Sequence, residues 1–241
     1  MTRLGGQMRG TLSAVLLLCC ACQKQEAHHA HVAPTVVAPS CPAQPPEVDA
    51  QAVDRMRQLI LDVAAPQPGE VVADIGTGGG WFTTRVARRV GKSGAVFGTD
   101  IDAATLDNLR KAPAGEDDAP VRFTLVHGER ETGLDDLPPN HLDLLLMVDS
   151  LCFDQRVPRL VNIAYLQRFL RVMKPRGRLI HHMDCTCATT VAEAEALFVA
   201  AGFVPQDRVT ALPCSALSTA ACPTAAAQDR ARFLGVFRKS P

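Results

Sequence analysis

Residues 71–91, VVADIGTGGGWFTTRVARRVG, run from an apolar stretch through four glycines in five positions into a helical pattern. The stretch Glu70 to Ile75 shows no apolar/polar alternation, which is the mark of a parallel strand covered on both faces. Phe82, Val86 and Val90 give the following segment an apolar stripe at helical spacing, and Gly91 ends it. A buried strand, a glycine turn and a helix in that order form the start of a nucleotide-type binding unit, so the question is which ligand the turn is shaped for.

The same alternation continues along the chain. Val48 to Ala64 places Val53, Met56, Ile60 and Val63 at helical spacing and is expected to cover the edge of a sheet. Strands are predicted at 94–102, 121–128, 141–151, 174–185, 203–209 and 231–239. Helices are predicted after Asp102, from Pro158 through Met173 with Val161, Ala164, Phe169 and Met173 as core contacts, and after Thr190, where Thr190 and Glu193 make a capping box and Gly202 a stop. Strand and helix in turn define an α/β domain over residues 48–241: a Rossmann-like, doubly wound, mostly parallel seven-stranded sheet with helices on both faces. Its ligand belongs at the C-terminal ends of the strands.

Two ligand classes use a glycine turn after the first strand. A dinucleotide turn needs a third small residue where this chain has Trp81, and that indole argues against NAD. What the residues do match is Asp74-x-Gly76-x-Gly78-x-Gly80, an acid two positions ahead of alternating glycines. With it the sequence resembles the class I S-adenosylmethionine-dependent methyltransferases along nearly all of residues 48–241. The resemblance implies S-adenosylmethionine as cofactor, with Gly76, Thr77, Gly78 and Gly80 against its methionine part and Asp74 orienting the turn and the amino group. A zwitterionic sulfonium offers no phosphate to a helix terminus, and an acid beside a cation suits it better.

The resemblance extends to Asp100, which ends the second strand at the position that holds both ribose hydroxyls, with Ile101 beside it. A carboxylate taking two hydroxyl hydrogens forms a charge-assisted fork. Asp102 suits a helix N-cap better than Asp100 does. Glu129, in HGERE, stands where the family has an Asp facing the adenine. MKPRGRLI resembles the family's LKPGGRLV, with Arg176 replacing one glycine and Gly177 expected to keep the turn.

Methyl transfer is an in-line displacement that needs alignment and exclusion of water, and a base only where the nucleophile must lose a proton. Candidate bases gather at the ends of the fourth and fifth strands: Asp149 and Cys152, then His181, His182 and Asp184. Alternation puts His181 and His182 on opposite faces, so one of them is a core histidine and the other a catalytic candidate. Asp149 is the preferred catalytic residue, because the fourth strand's end faces the transferred methyl in the family. With no separate substrate domain, the acceptor is expected to be a small molecule. The alternative is an exported binding or structural lipoprotein that retains the fold without turnover.

Residues 1–22 carry a basic start and the apolar run TLSAVLLLCCAC, shorter than the ~18 residues a membrane span requires. They read as a signal peptide resembling a bacterial lipoprotein leader, with Cys22 the expected site of lipidation and Cys20 the other candidate. Residues 23–47 are rich in Pro and Ala and form an extended tether. These features predict an exported, membrane-anchored, periplasm-facing protein, or a cytoplasmic one if the start is misassigned. Of the nine cysteines, Cys185 or Cys187 with Cys214 or Cys222 is the disulfide pairing to check. The C-x-C spacing is poor for zinc and no metal is expected. Twenty-five basic and 25 acidic side chains cancel, which disfavours nucleic acid as partner.

Overall fold

The structure is a computed structural model that describes residues 50–128, 130–150, 153, 157–183, 190–212 and 232–241, with backbone alone at 207–212 and 232–233. The leader, the tether and all the cysteines lie outside the described residues. The elements follow as α1 (Ala50–Ala64), β1 (Val71–Ile75), α2 (Trp81–Val90), β2 (Ala95–Asp100), α3 (Ala103–Lys111), β3 (Val121–Leu125), β4 (Leu142–Val148), α4 (Arg159–Val172), β5 (Met173–Met183), α5 (Val191–Ala201), β6 (Phe203–Leu212) and β7 (Arg232–Lys239). Among the described residues, no helix is long and apolar enough to cross a membrane.

The seven strands lie in the order β3-β2-β1-β4-β5-β7-β6. The first five are parallel, and β7 runs antiparallel between β5 and β6. This is the Rossmann-like, mostly parallel sheet that the alternation predicts. The strand order reverses between β1 and β4, and the carboxyl ends of those two strands flank the crevice where an open α/β sheet takes its ligand.

Side chains alternate between two cores. Leu145 and Met147 of β4, with Leu179 and Met183 of β5, pack under Tyr165, Phe169 and Phe198 of α4 and α5. Leu144, Leu146 and Ile180 face the other way, against Met56, Ile60 and Leu61 of α1 and Phe82, Val86 and Val90 of α2. Helix α1 therefore covers the middle of one face of the sheet, not its edge. Arg178 reinforces this: its guanidinium makes a two-pronged bond to Glu70, at 2.9 and 2.8 Å, and reaches the Ala64 carbonyl.

Local signals are met at several helix ends. Asp102 caps α3, accepting from the Ala104 N–H at 2.9 Å. Thr190 and Glu193 close a reciprocal capping box on α5, and Gly202 ends that helix at φ 104°. One further expectation is corrected. Helix α4 turns Asn162, Tyr165, Leu166, Phe169 and Val172 inward, while Val161 is 43% exposed and Ala164 is exposed. The spacing allowed either phase, and packing against α5 selects the one that buries Tyr165. At the irregular start of β5, where the register against β4 shifts, the left-handed residue is Arg176, at φ 64°. Gly177 is required for room: a Cβ there would lie 2.9 Å from the Lys174 carbonyl oxygen and 3.1 Å from that of Leu142.

Candidate functional site

The glycine turn is fastened to the end of β2. The Gly76 and Thr77 N–H groups both donate to the Thr99 carbonyl, at 2.8 and 2.9 Å. Asp100 then closes the turn from the far side, accepting from the Gly78 N–H at 2.8 Å through Oδ2 and from the Asp102 N–H at 3.0 Å through Oδ1, with the Thr77 hydroxyl 3.5 Å away. Oδ1 has one backbone donor and keeps a lone pair, and at Oδ2 the long 3.5 Å contact from Thr77 is the one a ligand hydroxyl would displace, so the carboxylate can take two hydroxyl hydrogens once Thr77 yields.

Gly76, Gly78 and Gly80 all have positive φ, at 73°, 48° and 75°. Their surroundings differ. A Cβ on Gly76 would come within 2.4 Å of the Ser150 Cβ, and one on Gly80 within 2.4 Å of Leu109 Cδ2, whereas one on Gly78 or Gly79 would meet nothing within 4 Å. Gly76 and Gly80 are thus wedged against protein, and the crest at Gly78 and Gly79 faces open space. Beside that crest the Ile101 side chain is 65% exposed, an apolar surface next to the Asp100 carboxylate. An open backbone crest, a carboxylate with spare lone pairs and an exposed aliphatic side chain fit an aminoacyl-nucleoside such as S-adenosylmethionine.

Asp74 lies under the turn on the α2 side, 2% exposed, and accepts from the Thr83 hydroxyl at 2.5 Å. Burial pushes its carboxyl up from 3.8 to about 6, against the opposing effect of the Thr83 bonds and with a small contribution from nearby Asp100. Thr83 was not legible as a site residue: it is one polar position in a helix of alternating character, and only the fold puts it over Asp74.

On the other side of the crevice, Asp149 and Ser150 follow β4. Asp149 is a non-glycine residue at φ 49°, a backbone conformation retained only where the surroundings hold it. What holds it is His182: the Asp149 N–H donates to the His182 carbonyl at 3.1 Å, and the His182 Nδ1–H donates to Asp149 Oδ1 at 2.8 Å. The Asp149 side chain is 49% exposed and that of His182 3%.

His181 goes the other way, as alternation requires. It is fully buried, with the Phe153 and Phe198 rings centred 5.5 and 5.0 Å from its own, and Nδ1 lies 3.2 Å from the Met147 carbonyl. Burial, and then the neighbouring His182, push its imidazole down to about 3, so it is neutral at any physiological pH. Of the two histidines, His181 is a core residue and His182 is the one joined to the site. Asp74, Gly76, Thr77, Gly78, Gly80, Asp100 and Ile101 are brought together at the first crevice wall, and Asp149 and His182 at the second; Glu129 and Asp184 lie outside the described residues. Trp81 packs partly buried against the core that holds Phe82 and Val86, and lies under the Arg85 guanidinium at 3.8 Å.

Comparison with known proteins agrees with this geometry. Residues 72–177, which run from β1 into the turn of β5, match the family model described as a methyltransferase domain. The chain is 30% identical over 129 residues to the ubiquinone/menaquinone biosynthesis C-methyltransferase UbiE of Azotobacter vinelandii, a match taking in 52% of this chain and 46% of that protein. It is 28% identical over 124 residues to the 2-phytyl-1,4-naphtoquinone methyltransferase of Trichormus variabilis, taking in 51% of this chain and 50% of that one. The chain thus spans about half the length of these curated relatives.

Solved structures share the fold. The [4+2]-cyclase SpnF superposes with a TM-score of 0.58 at 18% identity, over 83% of this chain and 88% of that one. A SAM-dependent methyltransferase from Aquifex aeolicus gives 0.54 at 16% identity, over 75% and 88%.

Proposed function

We propose that this protein is an S-adenosylmethionine-dependent methyltransferase acting on a small-molecule acceptor. The observation that carries the reading is the crevice at the strand-order reversal. One wall is the glycine crest clasped by Asp100; the other is Asp149 and Ser150, and the two meet where Gly76 abuts Ser150. The methyltransferase-domain match over residues 72–177 supports it. The two curated relatives are named for quinone nuclei, which supports an aromatic small molecule as acceptor.

In this reading Asp100 accepts the ribose hydroxyls, Ile101 covers the base, and Gly78 and Gly79 lie against the aminoacyl part. The cofactor supplies an electrophilic methyl on a sulfonium. The chain's own contribution is to hold an acceptor at the Asp149 corner in line with that methyl and to keep water out, which lowers the barrier by alignment. The fold alone does not dictate methyl transfer, since the [4+2]-cyclase SpnF shares it, so a reading in which the site does not transfer a methyl stands beside this one.

Calorimetric titration of the full chain with S-adenosylmethionine and S-adenosylhomocysteine tests the proposal. Binding is expected for both, with Asp100→Ala weakened by roughly 1.5 to 3 kcal/mol, the range for hydrogen bonds to a charged group. No heat of binding for either ligand, or equal affinity in the variant, contradicts it.

A further inference from the structure

Polar atoms at the β4 and β5 ends are left open to a ligand. The Asp149 carboxylate only accepts, and one of its oxygens is taken by the His182 Nδ1–H. His182 Nε2 is buried with no hydrogen-bond partner among the described residues. Ser150 Oγ, able to donate or accept, is likewise buried and unpartnered among them. Buried polar atoms without partners are rare enough in a folded protein to mark a place completed by ligand or water. This place adjoins the cofactor crest, since a Cβ on Gly76 would lie 2.4 Å from Ser150 Cβ and 3.6 Å from its Oγ.

We propose that Asp149 and Ser150, with His182 as the positioning residue behind Asp149, form the acceptor-binding corner, and that the acceptor carries a hydroxyl at or beside the atom that is methylated. The proposal rests on the methyltransferase reading above. A hydroxyl suits this corner because it donates to the carboxylate and accepts from the serine. An ammonium would leave Ser150 without an acceptor and would face the like charge of the sulfonium.

The accompanying step balances. The hydroxyl O–H bond breaks and its proton goes to the free Asp149 oxygen. The electron pair so released forms the bond to the methyl carbon, at that oxygen or at the conjugated carbon beside it. The sulfur keeps the electrons of the broken S–C bond and leaves as a neutral thioether. Positive sulfonium and negative carboxylate are consumed together, so no net charge is created in a half-buried site. Methylation at carbon additionally releases that carbon's own proton to water as Asp149 gives up the one it took, restoring the ring. His182 does not touch the acceptor; its ring bonds the Asp149 carboxylate and its carbonyl accepts from the Asp149 backbone N–H, which together hold that residue in place.

The test uses the full chain loaded with S-adenosylhomocysteine and two probes of nearly equal shape, 1,4-naphthohydroquinone under nitrogen and 1,4-dimethylnaphthalene. The parent is expected to bind the hydroquinone at least roughly tenfold more tightly, the scale of one hydrogen bond to a charged group. Asp149→Asn, which tolerates the left-handed backbone, should lose that preference. His182→Leu should lose it too, whereas His182→Asn, whose amide N–H replaces Nδ1–H, should restore it, with S-adenosylhomocysteine affinity unchanged in all three. Equal or absent binding of both probes to the loaded parent, or a preference that survives Asp149→Asn, overturns the inference. Failure of S-adenosylhomocysteine to bind at all overturns the reading beneath it. A second measurement is independent of any acceptor: in protein labelled with nitrogen-15 histidine, His182 should show a protected Nδ1 proton that is lost or shifted in Asp149→Asn, and its absence in the parent would also overturn the inference.

Discussion

Replacing Asp74 by Asn should make the ligand-free protein more stable at neutral pH while weakening its cofactor binding. The carboxyl is 2% exposed, and burial raises it from 3.8 to about 6. Between those two values the folded protein holds a proton that the unfolded chain has released, so stability falls as pH rises from about 4 to about 6 and is level above that. At about 1.4 kcal/mol for each tenfold change in proton affinity, the ionised carboxylate costs the fold about 3 kcal/mol by pH 7. Asn keeps an oxygen to accept from Thr83 and has no charge to bury, so the dependence should vanish from the variant. The assay is urea unfolding of parent and Asp74→Asn at several pH values from 4 to 7.5. The gap in favour of the variant should widen by about 2.5 kcal/mol across that range, on top of whatever constant offset the amide introduces. A gap independent of pH would refute the argument, because it would mean that Asp74 is not a buried ionised group in the folded state. The variant should in turn bind S-adenosylmethionine more weakly, since an uncharged side chain under the turn no longer offsets the ligand's cationic end.

Gly76→Ala combines a positive φ with a Cβ 2.4 Å from that of Ser150, and should cost about 2 to 3 kcal/mol in urea unfolding; Gly78→Ala, strained but facing open space, should cost about 1 kcal/mol. Equal losses would place the wedge elsewhere. His181, pushed down to about 3, should stay neutral by NMR to at least pH 5; because the unfolded chain takes up that proton below 6.5, the stability this residue confers is lost as pH falls. We further propose export and anchoring through a leader cysteine: metabolic fatty-acid labelling should mark the full-length protein and disappear when Cys19, Cys20 and Cys22 are replaced together. If the domain matures in an oxidising compartment, alkylation without reduction should leave at least one pair among Cys185, Cys187, Cys214 and Cys222 unlabelled, and full labelling would exclude a bridge.

Much of the first crevice wall could be read along the chain because its determinants are close together in sequence. A buried strand, its acid Asp74, the spaced glycines and the Asp100 to Asp102 pair each act through neighbouring backbone: Asp102 caps the helix that starts one residue later, and the glycines take the positive φ that a tight strand-to-helix turn imposes. The seven-stranded α/β plan was legible for a similar reason, since burial on both faces removes the alternation that a half-exposed strand would show.

The second wall was decided only by tertiary contact. Residue period places His181 and His182 on opposite faces but does not say which face belongs to the crevice; that depends on α4 and α5 covering one side and enclosing His181 among Phe153 and Phe198. The Asp149–His182 bond, the wedge of Ser150 against Gly76 and the placing of Thr83 over Asp74 join positions that no local pattern connects. The same holds for the inward phase of α4, the position of α1 across the middle of the sheet and the left-handed Arg176. In each case local propensity left two conformations or faces close in energy, and packing against a segment distant in sequence chose between them.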